Sequence, residues 1–402
     1  MTQFPNDRWA ARLSHPIVTY LVMRAADQPV LRHATVAVAA LLASQDSQKH
    51  LHTHDAGFRY LENKQKALQL VRKRVMAMDI DGYVAAAVAF LLMTEIGDPG
   101  ARVHMNGLKS VLEHMQARHR QNNTTAHDLP VSPLYWLSWA VAIRLDVDRA
   151  TVQGDPVLEP LPLTAECESV HQAWISEVCQ STIGSEGVQW GVAICTLRIL
   201  LHRAFYIASK ARVSRGSATH TIADEATVQQ LCSELDNDMT LWLSRPIVRQ
   251  LEIEVQELCG SAPISPVSYR SLNNSAYHYM MNEYRTTKLY LSFIADPDVG
   301  PAKTNSERFG HALQLCRTFE TAAASEVGQR CNTVFDNSKV FQLVLCYLTF
   351  GEENYPPECE NTLCLLQEFL PPDTELSKAQ VMNMWGKYCG GLPPPSASLA
   401  RS

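Results

Sequence analysis

Apolar positions recur along this chain with helical spacing, and no stretch shows the two-residue alternation of a half-buried strand. The run Val30 to Leu42 follows Pro29, a residue suited to the first turn of a helix. A second run puts Leu61, Leu68, Val71, Val75 and Met78 on one predicted face. From Tyr83 to Glu95 the chain is apolar nearly all round, as expected of a helix buried on several sides, and Gly97-Asp98-Pro99-Gly100 stops it. Leu108, Val111, Leu112 and Met115 then repeat at i, i+3, i+4 and i+7. A polar connector at 120–128 precedes a Trp-rich helix at 134–145, and three prolines make 151–162 the best internal linker. Helices are expected near 165–180, 187–213 and 222–243; the last carries a Val228, Leu231, Leu235, Met239, Trp242 stripe, with Pro246 just beyond it. After a loop at 260–266, further helical runs fall at 274–295, 305–325, 336–350, 359–369 and 375–388. The expected fold class is all-α, a large multi-helix bundle. It reads as a single domain over 1–390, subdivided if anywhere at 151–162, with a flexible tail at 391–402.

Composition narrows the function classes. The 402 residues are 46% hydrophobic and 19% charged, with a net charge of −6, which argues for a folded chain without a general affinity for phosphate backbones. The one dense basic stretch, Lys64 to Arg74, sits on a helical pattern and reads as a solvated helix face. The longest apolar run, Tyr83 to Met93, is 11 residues, too short to span a bilayer, so no membrane partner is expected. The 11 cysteines are an odd number, begin only at Cys167, and include Cys195, Cys316 and Cys346 within apolar runs, where a thiol acts as a small hydrophobe. With no secretory leader read at the N-terminus, they point to a reducing compartment.

Candidate chemistry is sparse. His50, His52 and His54 alternate beside Asp55 and could ligate a metal on a strand, but between two helices they read as an exposed polar loop. Cys359 and Cys364 are the closest cysteine pair, and a zinc site needs short-spaced pairs used twice, so neither structural zinc nor any cofactor is expected. Phosphate-loop, dinucleotide, nucleophile-elbow and His-Glu-x-x-His patterns are absent. What remains is a set of polar groups inside apolar helices: Glu95, Arg144, Arg198, His202, Glu283 and Arg285, with His104 nearby in sequence to Glu95. These are either internal ion pairs or the polar lining of an interhelical pocket for a small apolar ligand. Trp139, Trp190 and Trp242 read as core or as walls of such a pocket.

Four segments in the first 118 residues carry a family resemblance. The segment 28–42, opening Gln28-Pro29-Val30-Leu31-Arg32-His33-Ala34, looks like the start of the regulatory domain of fungal zinc-cluster transcription factors. Tyr60 to Arg74, with its Lys66-Ala67-Leu68 centre and basic end, is similar to that family's next helix. Ala85 to Gly97 resembles its apolar helix closed by a glutamate, here Glu95. His104-Met105-Asn106-Gly107-Leu108, continuing to Leu112, matches the following segment, and order and spacing agree across all four.

The resemblance implies an all-helical regulatory domain, which in that family usually follows a six-cysteine zinc cluster. Here the first cysteine is Cys167 and the sequence opens near the start of the regulatory domain, so no direct sequence-specific DNA binding is expected. The resulting expectation is a nuclear, or else cytoplasmic, transcription regulator-like protein of a fungal biosynthetic gene cluster. It would act through a protein partner such as a DNA-binding transcription factor, through a small apolar metabolite, or as a homodimer. An upstream exon encoding the zinc cluster is the third reading. The alternative is a helical domain repurposed as a natural-product cyclase or isomerase.

Overall fold

The computed structural model describes residues 19–45, 53–95, 101–122, 132–153, 155–161, 163–216, 221–259, 272–295, 306–323, 336–351, 356–369 and 377–388. Among the described residues there is no strand, as the helical spacing of the apolar positions requires. The helices are α1 (19–27), α2 (Pro29–Gln45), α3 (Thr53–Met76), α4 (Gly82–Met93), α5 (Ala101–Asn122), α6 (Pro133–Gln153) and α7 (Ala165–Gly216). They continue with α8 (Ile222–Leu243), α9 (Pro246–Cys259), α10 (Leu272–Ala295), α11 (Ser306–Ala323), α12 (Asp336–Phe350), α13 (Pro356–Phe369) and α14 (Lys378–Tyr388). Helix α7 is interrupted at Gly184, whose φ of 66° and ψ of −177° suit only glycine, so it comprises two helical segments.

The contacts group the chain into two compact units. Among the described residues, the N-terminal unit holds those between 19 and 146 and between 163 and 192, and the C-terminal unit those between 147 and 161 and between 193 and 388. Residues 147–161 belong to the C-terminal unit. The proline-bearing linker starts late, because α6 continues to Gln153.

In the N-terminal unit, α4 is the centre. Its four alanines 85, 86, 87 and 89 are buried with Phe90, Leu91 and Leu92, and it packs on α2, α3 and α5. Asp81 starts it: the Oδ1 accepts from the Tyr83 and Val84 backbone N–H groups at 3.0 and 3.1 Å. Helix α3 packs most extensively on α2, yet its expected stripe is not its buried face. Leu61, Leu68 and Met78 are exposed, and Ala67 is the fully buried position. Small side chains win this contact: α2 offers Ala34 and Ala37 at full burial, and His33 Nδ1 meets Asn63 Oδ1 at 2.8 Å across the pair. The α5 stripe falls as expected, with Leu108, Val111 and Leu112 buried and Met115 half-buried. Helix α3 ends in a Schellman arrangement, with Met78 in the left-handed region (φ 54°) and the Asp79 N–H reaching the Arg74 carbonyl at 2.9 Å.

In the C-terminal unit, α10 packs on α8, α9, α11 and α12, and α12 packs in turn on α11, α13 and α14. Its core is aromatic. Phe205, Tyr290 and Phe341, from α7, α10 and α12, lie with ring centroids 4.9 to 5.3 Å apart. Trp242 stacks on Tyr284 at 5.6 Å and donates its indole N–H to the Ala193 carbonyl at 2.8 Å. Trp242 is a core residue here, as Trp139 and Trp190 are in the N-terminal unit. Helix α8 opens on a capping box in which Thr221 and Asp224 serve each other's backbone N–H. The segment Gly184–Arg215 is long and apolar enough to cross a membrane by length and composition alone, and 72% of its apolar window is buried inside the fold, as for a core helix.

Candidate functional site

The sequence-derived candidates separate by unit. Arg198 and Glu283 pair in the C-terminal unit, the Arg198 Nε donating to Glu283 Oε2 at 3.0 Å with Glu283 nearly buried. His202 is fully buried there and Arg285 half-buried on α10. Arg144 is half-buried on α6 in the N-terminal unit. Each of these residues makes further interactions within the fold.

Glu95 and His104 do come together, and they bring in a residue the sequence reading had placed on a solvated face. Glu95, just past the end of α4, receives Lys64 of α3 at 2.8 Å and contacts the His104 ring of α5. The Glu95 side chain is only 9% exposed, so its charge depends on these partners. Lys64 also donates to the Tyr60 hydroxyl at 3.1 Å and lies over that ring. Burial tends to lower the Lys64 pKa, but the hydrogen bonds to Glu95 and Tyr60 outweigh it and the net shift is upward. The cation also suits the C-terminal end of α4, where carbonyls accumulate negative charge. The basic stretch therefore divides. Lys66, Arg72 and Lys73 are solvated, whereas Lys64 turns inward and Arg74 binds Asp79 and Asp81 at 2.8 and 2.9 Å.

At the opposite end of α4, roughly 18 Å away for twelve residues of helix, lies a cleft of about 440 Å³. Ile80, Met115, Pro133 and Leu134 supply an apolar wall, and Tyr20 and Tyr83 add two phenols. Arg24, Arg118, Asp81 and Glu177 complete the rim, with Arg24, Arg118 and Glu177 exposed. Arg24 lies one turn beyond Tyr20 on α1, its guanidinium 5.1 Å from the ring centroid. Coulombic attraction and hydrogen bonding of its guanidinium to the Tyr20 hydroxyl, with a smaller contribution from Tyr83, raise the Arg24 pKa; burial is the main cause of the raised Tyr20 pKa. Gly82 is required at the floor, because a Cβ there would stand 3.0 Å from Leu134 Cβ and 3.2 Å from Ser132 Oγ.

None of the seven sequence-derived candidates lines this cleft, which the sequence reading missed. Its residues come from five separate stretches between Tyr20 and Glu177, and only two local signals were available: the Tyr20–Arg24 spacing and Asp81 placed as a helix cap.

Other sequence features resolve individually. Thr53 and the following His54 and Asp55 open α3, while His50 and His52 lie outside the described residues, as does the 391–402 tail. Cys359 is buried, its Sγ 3.8 Å from the Tyr347 carbonyl, and Cys364 is exposed, so the two thiols sit in different environments. No protein-family model matches the chain, and neither a curated protein nor a solved structure shows significant similarity to it.

Proposed function

We propose that this protein is a transcription regulator-like chain of a fungal biosynthetic gene cluster, acting in the nucleus through a protein partner or in response to a small metabolite. One observation carries the reading. The four segments that resemble the regulatory domain of zinc-cluster transcription factors correspond to the consecutive helices α2, α3, α4 and α5, which pack within one unit. The polar residues marking three of them, Lys64 with Tyr60, Glu95 and His104, converge on one cluster. Residues far apart in sequence meet there as they would if the segments had been retained as a functional block.

The test is deletion of the gene followed by transcript profiling, with chromatin immunoprecipitation of the tagged protein. Coordinate loss of a set of neighbouring transcripts, with occupancy that depends on a second DNA-binding protein, is the expected result. Unchanged transcripts without chromatin occupancy would defeat it. A second reading, a helical cyclase or isomerase, draws on the cleft, whose phenols and the Glu177 carboxyl adjoin an apolar wall. It predicts intact transcripts and accumulation of one intermediate that the purified protein converts.

A further inference from the structure

We infer that the exposed face of α3 docks a partner's amphipathic helix whose apolar stripe is bordered by carboxylates. The inference names the kind of partner for the partner-mediated branch of the function proposed above, and rests on that reading only for its biological meaning.

Packing on α2 turns the small side of α3 inward and leaves its large apolar residues outside. Ala67 is fully buried, so the opposite side of the helix faces outward. Phe58, Leu61, Leu68 and Met76 stand there, 42 to 75% exposed, and they are four of the twelve large hydrophobics exposed among the described residues. At 3.6 residues per turn they form one stripe, about 27 Å long between residues 58 and 76. Beside the stripe, Arg59, Lys66 and Lys73 repeat at seven-residue spacing and make an exposed basic row. An apolar stripe with a polar border is the pattern of an interaction surface.

The charge on this side is not balanced within the fold. Between Ala56 and Met76 the helix carries six cations and one carboxylate, Glu62. Lys64 is matched by Glu95, and Arg74, together with Arg118, by Asp79 and Asp81. Arg59 makes an interaction of its own. That leaves Lys66, Arg72 and Lys73 against Glu62, which Lys66 meets at 2.7 Å, an excess of two positive charges. Helices α2 and α4, which pack on α3, carry no acidic residue to offset it. A helix with leucine-like residues on one face and carboxylates along its flank covers the stripe and neutralises the excess together.

Two other occupants match less well. A second copy of the chain, pairing antiparallel through α3, would set each basic row against its own counterpart. A lipid surface would draw Gln65 and Arg72, which lie within the stripe, into an apolar layer that offers their amide and guanidinium no partner. A protein helix can present a carboxylate to Arg72 at that point.

The test is selection, on the full chain, of a phage-displayed library of helices about three heptads long, with leucine at a and d and Glu, Gln or Lys at e and g. Enriched helices should carry Glu over Lys by at least tenfold, and the best of them, synthesised with a fluorescein label, should bind in a polarisation assay. Leu61→Asp combined with Leu68→Asp should weaken that peptide tenfold or more. Lys66→Glu combined with Lys73→Glu should weaken it to a similar extent and turn the library's preference to Lys. Leu241→Asp, at an exposed leucine of α8, should leave binding unchanged. No enrichment, enrichment without a charge bias, or insensitivity to both double substitutions overturns the inference. Dimerisation in sedimentation velocity that the leucine substitutions abolish would overturn it in favour of a second copy. Cosedimentation with phosphatidylserine vesicles, abolished by the same substitutions, would overturn it in favour of a lipid surface. An overturned surface with transcripts lost on deletion leaves the regulator standing. Docking of the acidic helix with unchanged transcripts defeats the regulator and leaves the surface intact.

Discussion

The two units differ in how much apolar surface they leave exposed. In the C-terminal unit the charges found inside apolar helices are matched locally: Arg198 with Glu283, Arg215 with Glu225, and Lys288 with Asp236 and Glu307. Its aromatic rings close on each other around Phe341. In the N-terminal unit the floor of the cleft is apolar, its rim charges are exposed, and nine of the twelve large hydrophobics exposed among the described residues lie there, Phe58, Leu61 and Met76 among them. The difference lies in exposed apolar area and not in charge matching, since Lys64 with Glu95 and Arg74 with Asp81 are matched in the N-terminal unit as well.

The sharpest way to break this contrast is to remove the aromatic centre of the C-terminal unit. Phe341→Ala should cost about 3–5 kcal/mol in chemical denaturation, as expected for a large core deletion. Hydrogen exchange should show the loss in α10 and α12; a cost below about 1 kcal/mol would mean that the ring cluster is not the core it appears from its burial.

The next effect is acid sensitivity in the N-terminal unit. His171 is buried against Trp136 and Trp174, and desolvation pushes its pKa down to about 4. Its Nδ1 accepts the Trp174 indole N–H at 3.0 Å. The folded state thus binds a proton less readily than the unfolded state. The associated stability is complete above pH ~6.5 and is lost as pH falls towards 4, by up to about 3 kcal/mol. His171→Gln, which keeps an acceptor without titrating, should flatten the stability profile between pH 6.5 and 4. His311 in the C-terminal unit is shifted in the same direction, chiefly by burial, so a residual slope should survive the substitution.

Smaller effects probe the cleft and its approach. Gly82→Ala forces a Cβ against Leu134 and Ser132 and should cost about 1–3 kcal/mol, with altered fluorescence from the nearby tyrosines. Met78→Gly should gain up to about 1 kcal/mol by relieving a left-handed residue at the end of α3, measured as a raised Tm. A loss there would show that the Met78 side chain, although exposed, contributes contacts that outweigh its backbone strain.

Helix identity was legible wherever periodicity and boundary residues agreed. The α8 stripe, the all-round apolar α4 and the α5 pattern fall where the sequence places them, because a buried helix face is a local property of spacing. Helix α3 shows the limit. Its largest apolar residues suggest the core face, yet close packing on α2 favours Ala67 and turns Leu61 and Leu68 outward. Helix α1 escaped notice, and it supplies Tyr20 and Arg24 to the cleft. Of the seven candidate residues, two pairs meet, Glu95 with His104 and Arg198 with Glu283. The sequence pointed to polar groups in apolar surroundings without saying which partner each would find.

The amino-acid order alone determined that this protein is helical and where most helices begin and end, since caps, prolines and i, i+4 spacing act within a few residues. Tertiary structure decided which face of α3 is buried, that Lys64 reaches Glu95, and that five distant stretches enclose one cleft. Those outcomes depend on which helices approach closely and on charges being matched across the chain, and neither is encoded within a single turn.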